Sequence, residues 1–113
     1  MPKDRELTLY DLTVEVRCRE GRSFVCGHKE GPAFRVVGED VVFDQPSAFS
    51  LYALASLLPL LPAKQRALEA ADWMAADTDI ACPDAACGAV FRIRRTARST
   101  FPRETPNTQP REP

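Results

Sequence analysis

The chain has no glycine-rich phosphate loop. Its five glycines are scattered through 113 residues, and none fits a nucleotide-binding fingerprint. It has one histidine, His28, and no Ser-His-Asp set can be assembled with any specificity. No apolar run is long enough to span a bilayer. The most apolar stretch, 48–61, falls short of the ~17–25 residues a spanning helix needs, and Pro59 interrupts it. Residues Met1 to Glu6 are charged and have no apolar stretch behind them, which excludes a signal peptide. There is no internal repeat. From these absences a cytosolic protein without membrane contact is expected. Disulfides are rare in that compartment, so Cys18, Cys26, Cys82 and Cys87 are expected as thiols or metal ligands.

Net charge is nearly absent too, at −1, but it is unevenly spread. Residues 1–91 carry nine Lys/Arg against fourteen Asp/Glu, whereas residues 92–113 carry six Arg against two Glu. The body therefore has no charge-based reason to bind nucleic acid or an anionic membrane. Arg92, Arg94, Arg95, Arg98 and Arg103 form a basic strip with only Phe101 as an aromatic neighbour. An exposed strand face and a soluble tail are preferred to nucleic-acid binding for that strip.

What is present suits one small packed domain. Apolar residues make up 44% of the chain, and the length fits a single core. Leu7–Cys18 alternates, with Leu12, Val14, Val16 and Cys18 on one side and Thr13, Glu15 and Arg17 on the other, which predicts a half-buried strand. Phe34–Val37 and Val41–Phe43, joined by Gly38-Glu39-Asp40, predict a hairpin. Asp44 and Ser47 are candidate N-caps, Pro46 suits a first turn, and Ala48–Leu58 follows as a helix apolar on nearly every side. Ala63–Asp72, rich in good helix formers, predicts a second helix. Asp79–Cys82 and Ala89–Arg95 are expected as strands, with Ala89, Phe91 and Ile93 inward and Arg92 and Arg94 toward water. The fold expected is α+β: a small, mostly antiparallel sheet packed against two helices. The domain should run over 7–96, followed by a disordered Pro- and Arg-containing tail over 97–113.

The chemistry concentrates in two segments. Cys26-Gly27-His28 puts a thiol and an imidazole at i and i+2, on one face of an extended segment. Cys82-Pro83-Asp84-Ala85-Ala86-Cys87 flanks a turn with two thiols, a spacing that can bring both sulfurs to one metal. Thiolates and an imidazole suit Zn²⁺, so Cys26, His28, Cys82 and Cys87 form a candidate Cys₃His zinc set. Two alternatives stay open. Cys18 and Cys82 could be small buried hydrophobes with His28 a mere turn residue. Alternatively, Cys26 or Cys87 could be a reactive thiol activated by His28. Trp73, beside Met74, reads as a core anchor, with ligand stacking as its other use. Asp84 reads as a turn residue, and Asp77 and Asp79 as solvated loop acids.

The set of motifs resembles a family of small uncharacterised prokaryotic proteins, a domain of unknown function of about 90 residues. The features that carry this are Tyr10-Asp11-Leu12-Thr13-Val14, Gly27-His28-Lys29 with Gly31 and Phe34, the apolar Leu51–Leu61 and the Trp73 segment. Ile80-Ala81-Cys82-Pro83-Asp84 and Val90-Phe91-Arg92-Ile93 complete them, so the resemblance covers residues 8–95. It implies that Cys26, His28 and Cys82 belong to the family's pattern, with Cys87 a feature of a narrower subgroup. The first cysteine lies closer to the histidine here than is usual in the family. The resemblance implies no established activity.

Taken together, the expectation is a small metal-binding domain acting as a metalloenzyme or an accessory protein. The competing expectation is a non-catalytic interaction module or homodimer built through the apolar helix 48–58.

Overall fold

A computed structural model describes residues 6–44 and 48–102. Pro46, Ser47, Arg103 and the tail beyond 102 lie outside the described residues.

Five strands form one antiparallel sheet in the order β3-β2-β1-β5-β4. They are β1 (Glu6–Cys18), β2 (Gly31–Val37), β3 (Asp40–Val42), β4 (Thr78–Ala81) and β5 (Ala89–Pro102). The alternation read from the sequence is the pleat of this sheet. Leu12, Val14 and Val16 of β1 are buried, as are Phe34 and Val36 of β2 and Ala89, Phe91 and Ile93 of β5. These side chains form the core. Burying a Val, Leu, Ile or Phe side chain contributes about 1.5–3 kcal/mol, so this face is the main stabilising element. Gly38 closes the β2–β3 turn at φ 62°, a left-handed conformation that favours glycine.

The polar face carries a cross-strand ion lattice. Arg92 forms a bidentate pair with Asp79 at 2.7 and 2.9 Å, and Arg94 lies 3.3 Å from Asp77 and 3.9 Å from Glu15. Asp77 and Asp79 are therefore ion-pair partners rather than free loop acids. Arg92 and Arg94 are matched by carboxylates of neighbouring strands that a linear reading of the basic strip does not see. Arg95 turns inward, donating to the carbonyls of Lys64, Ala75 and Arg66 and lying 4.2 Å over the Tyr10 ring.

The helical layer is thinner than expected. The first helix, α1 (Leu51–Leu57), begins where the Ser50 side chain accepts from the backbone N–H of Ala53, and it buries only Ala53 and Leu57. The second, α2 (Leu61–Lys64), is a single turn with Pro62 near its start. The predicted helix over 63–72 does not form. The Lys64 side chain is fully buried, and its Nζ donates to the carbonyls of Met74 and Ala76 and to Thr78 Oγ1. The Arg95 guanidinium takes the carbonyls of Lys64 and Arg66, which a continuing helix would have used. The arrangement of a sheet packed against two full helices is thus reduced to a sheet with one short helix and one turn.

Two further expectations change. Trp73, in the 3-10 turn Trp73–Ala75, is 62% exposed and is no core anchor. The chain also stays ordered past residue 96: β5 runs to Pro102, paired with β1 as far as Glu6↔Pro102. Beyond residue 93 β5 pairs with β1 alone, because β4 covers only 90–93 of its other edge.

Candidate metal centre

Topology alone brings the two chemical segments to one end of the sheet. The β1–β2 connection, 19–30, leaves β1 at Cys18 and enters β2 at Gly31. The β4–β5 connection, 82–88, leaves β4 at Ala81 and enters β5 at Ala89. Cys18 pairs with Ala89, Val16 with Gly31 and Ala81 with Val90, so both connections emerge side by side. The loops then zip together. Arg19 donates its N–H to the Gly88 carbonyl at 2.8 Å, and Gly88 donates to the Ser23 carbonyl at 2.9 Å. Only glycine fits there: a Cβ on residue 88 would lie 2.4 Å from Arg22 Cβ and 3.1 Å from the Ser23 backbone.

The turn over 82–88 is built by Asp84. Its Oδ1 accepts from the Ala86 N–H and its carbonyl from the Cys87 N–H. This turns Cys82 and Cys87 toward the same point. Arg22 ties the facing loop to the turn through the Ala85 carbonyl.

The four candidate residues meet. The ligand atoms of Cys26, His28, Cys82 and Cys87 all lie within 4.8 Å of one another. Cys26 Sγ is 3.8 Å from Cys82 Sγ, and His28 Nε2 is 3.7 Å from Cys82 Sγ. A tetrahedral zinc with Zn–S near 2.3 Å and Zn–N near 2.0–2.1 Å has S···S edges of about 3.8 Å and S···N edges of about 3.6 Å. Both observed separations match those edges. Cys18 stands apart: its thiol donates to the Arg22 carbonyl at 3.1 Å, and it is not a member of the cluster.

The surroundings treat the ligands differently. The His28 ring sits among Phe24, Phe49 and Phe91, with the Phe91 centroid 5.0 Å away. That burial lowers its pKa and favours the neutral imidazole a metal requires. Cys87 is buried, which opposes ionisation. The backbone N–H groups of Cys26, Val25 and Ala89 outweigh this, and its thiol is brought down to about 7. The Val25 N–H is 3.3 Å from the sulfur. Desolvation and the neighbouring thiols Cys82 and Cys87 instead push Cys26 up to about 12. A proton is thus favoured on Cys26 until a cation arrives. His28 contacts the sulfur of Cys82 at 3.7 Å, whereas sequence reasoning offered Cys26 or Cys87 as its activated partner.

Sequence reasoning had no access to these N–H donors, which depend on the register of two loops rather than on side-chain identity. Comparison with protein-family profiles, curated proteins and solved structures finds no match for this chain.

Proposed function

We propose that the protein is a small zinc-binding domain in which Cys26, His28, Cys82 and Cys87 hold one structural Zn²⁺. The observation that carries this reading is the convergence of all four ligand atoms within 4.8 Å, with neighbour separations of tetrahedral size. Four protein ligands close the coordination sphere and leave no position for substrate, which favours an accessory role over a metalloenzyme. The metal staples the β1–β2 loop to the β4–β5 turn. Thiols kept as metal ligands suit a cytosolic setting.

The test is elemental analysis of protein purified without a histidine tag. About one zinc per chain is expected, retained in Cys18→Ser and lost in Cys82→Ser and Cys87→Ser. Metal-free protein from zinc-replete cells, or equal retention in all three variants, refutes the reading.

A second reading rests on α1. Leu51, Tyr52 and Leu58 are 70%, 77% and 45% exposed, a high proportion for so short an apolar helix. This supports an interaction module or homodimer formed through the 48–58 segment. Solution mass decides it: a dimer broken by Tyr52→Glu supports the module, and a monomer at high concentration removes the homodimer.

A further inference from the structure

The cluster is asymmetric in a way that its coordinating role does not require. Cys87 is anchored by the backbone N–H of Val25, 3.3 Å from its sulfur. Cys82 is buried and packed against His28 Nε2. Cys26 is held by neither device. Its sulfur faces the Cys82 sulfur at 3.8 Å and the Asp84 carboxylate at 3.8 Å. It is only partly buried and lies in the bend at 26–27, where a Cβ on Gly27 would meet nothing within 4 Å.

These features matter once a metal is bound, because coordination keeps every ligand sulfur as a thiolate. Susceptibility to oxidation then follows exposure, and is greatest where a resolving thiol stands next to the attacked one. The Val25 N–H draws charge from the Cys87 sulfur. Among the described residues no N–H donor is directed at Cys26, and the carboxylate beside it leaves its charge undiminished.

We infer that Cys26 is the oxidation-sensitive ligand, and that hydroperoxides join it to Cys82 in a disulfide that expels the metal. This rests on the zinc reading above. The Cys26 thiolate attacks one peroxide oxygen; the O–O bond breaks, and the distal oxygen leaves as hydroxide or alkoxide and takes a proton from water. Cys26 is then a sulfenic acid. The Cys82 thiolate attacks its sulfur, the S–S bond forms, and the sulfenic oxygen leaves as hydroxide. Two sulfurs have lost two electrons and one peroxide has gained them. The sulfurs must close from 3.8 Å to about 2.05 Å. Two of four ligands are withdrawn, and His28 with Cys87 cannot retain the ion. The new S–S bond still links the two loops, so the oxidised protein keeps its cross-link while losing its zinc.

The experiment treats the zinc-loaded full chain with hydrogen peroxide. Zinc release is followed with a colorimetric chelator, and disulfides are mapped by non-reducing peptide mass spectrometry after thiol blocking. The expected result is one zinc released per Cys26–Cys82 disulfide, reversed by a dithiol reductant with added zinc, and unchanged in Cys18→Ser. Zinc retained while Cys18 is already oxidised overturns the inference and leaves the metal reading intact. So does release accompanied by a disulfide to Cys18 or Cys87, or by sulfinic acid without a disulfide. An untreated sample without zinc refutes the metal reading itself. The inference then falls with the reading it rests on, because no coordinated thiolate is present to be oxidised.

Discussion

On the zinc reading, removing the metal should lower the melting temperature by about 15–30 °C. The magnitude follows from the chain path between the two stapled loops. Cys26 and Cys82 are 56 positions apart. Closing a loop of that length restricts the unfolded chain by roughly 4 kcal/mol at 25 °C, if a metal cross-link acts as a disulfide does in the chain-entropy description. A small domain has only about 5–15 kcal/mol in total, so the loss is a large fraction. For a domain near this size each kcal/mol moves the midpoint by about 4–8 °C. The assay is a pair of circular dichroism melts on one preparation, before and after a strong chelator, with metal content verified in both. Re-addition of zinc should restore the first curve, and Cys87→Ser should melt near the stripped sample even with zinc present. A shift under about 5 °C after complete removal refutes the argument, because the loops would then be held by their own backbone hydrogen bonds and not by the ion.

Other expectations are independent of that one. Lys64→Met should cost about 1–3 kcal/mol, since it removes the ammonium donor of the Met74 and Ala76 carbonyls and of the buried Thr78 Oγ1; urea unfolding measures it, and a neutral result would mean those acceptors find water. Gly88→Ala should cost about 1–3 kcal/mol and weaken zinc binding, because the new methyl meets the Arg22 Cβ and the Ser23 backbone; a fully stable variant with unchanged affinity contradicts the close approach. In metal-free protein, stability should rise between pH 7 and pH 9, because the folded Cys87 thiol at about 7 lies below its ordinary value of 9.0 and the unfolded state binds the extra proton. Above pH 9 the sign reverses: Cys26, pushed up to about 12, keeps its proton in the folded chain while the unfolded chain loses it. Melting midpoints across this range check both limbs, and Cys87→Ser should flatten the lower one.

The sheet was readable where burial is one-sided. In 12–16 the pleat imposes strict alternation, and the sequence shows it, whereas in 89–93 Val90 is buried beside Ala89 and Phe91 and the pattern is one apolar run before Arg92. The clustering of Cys26, His28, Cys82 and Cys87 was readable because thiols and an imidazole at short spacings in two turns are the residue types that a shared centre would use. What escaped were interactions in which a side chain serves distant backbone. Lys64 looks like an ordinary helix surface residue, yet its ammonium group is enclosed by carbonyls ten and twelve positions ahead. Arg95 reads as one of a basic run, although it ends α2 from across the sheet. Ile80 and Phe91 announce their strand pairing through hydrophobicity, whereas Thr8 and Thr100 pair just as closely with nothing apolar to signal it. Local composition predicts burial. It does not predict which carbonyl a cation will reach.

Glu6 and Pro102 are direct partners at the far tip of the β1–β5 ribbon, while Cys18 and Ala89 are partners at the other. Twelve strand steps of about 3.3 Å separate the two tips by roughly 40 Å. A purification handle or fused domain attached before residue 6 or after residue 102 would therefore emerge well away from the thiols. A few linking residues between those positions would also suffice to close the chain into a ring, so new termini could be opened in the 65–72 segment without touching the cysteine loops.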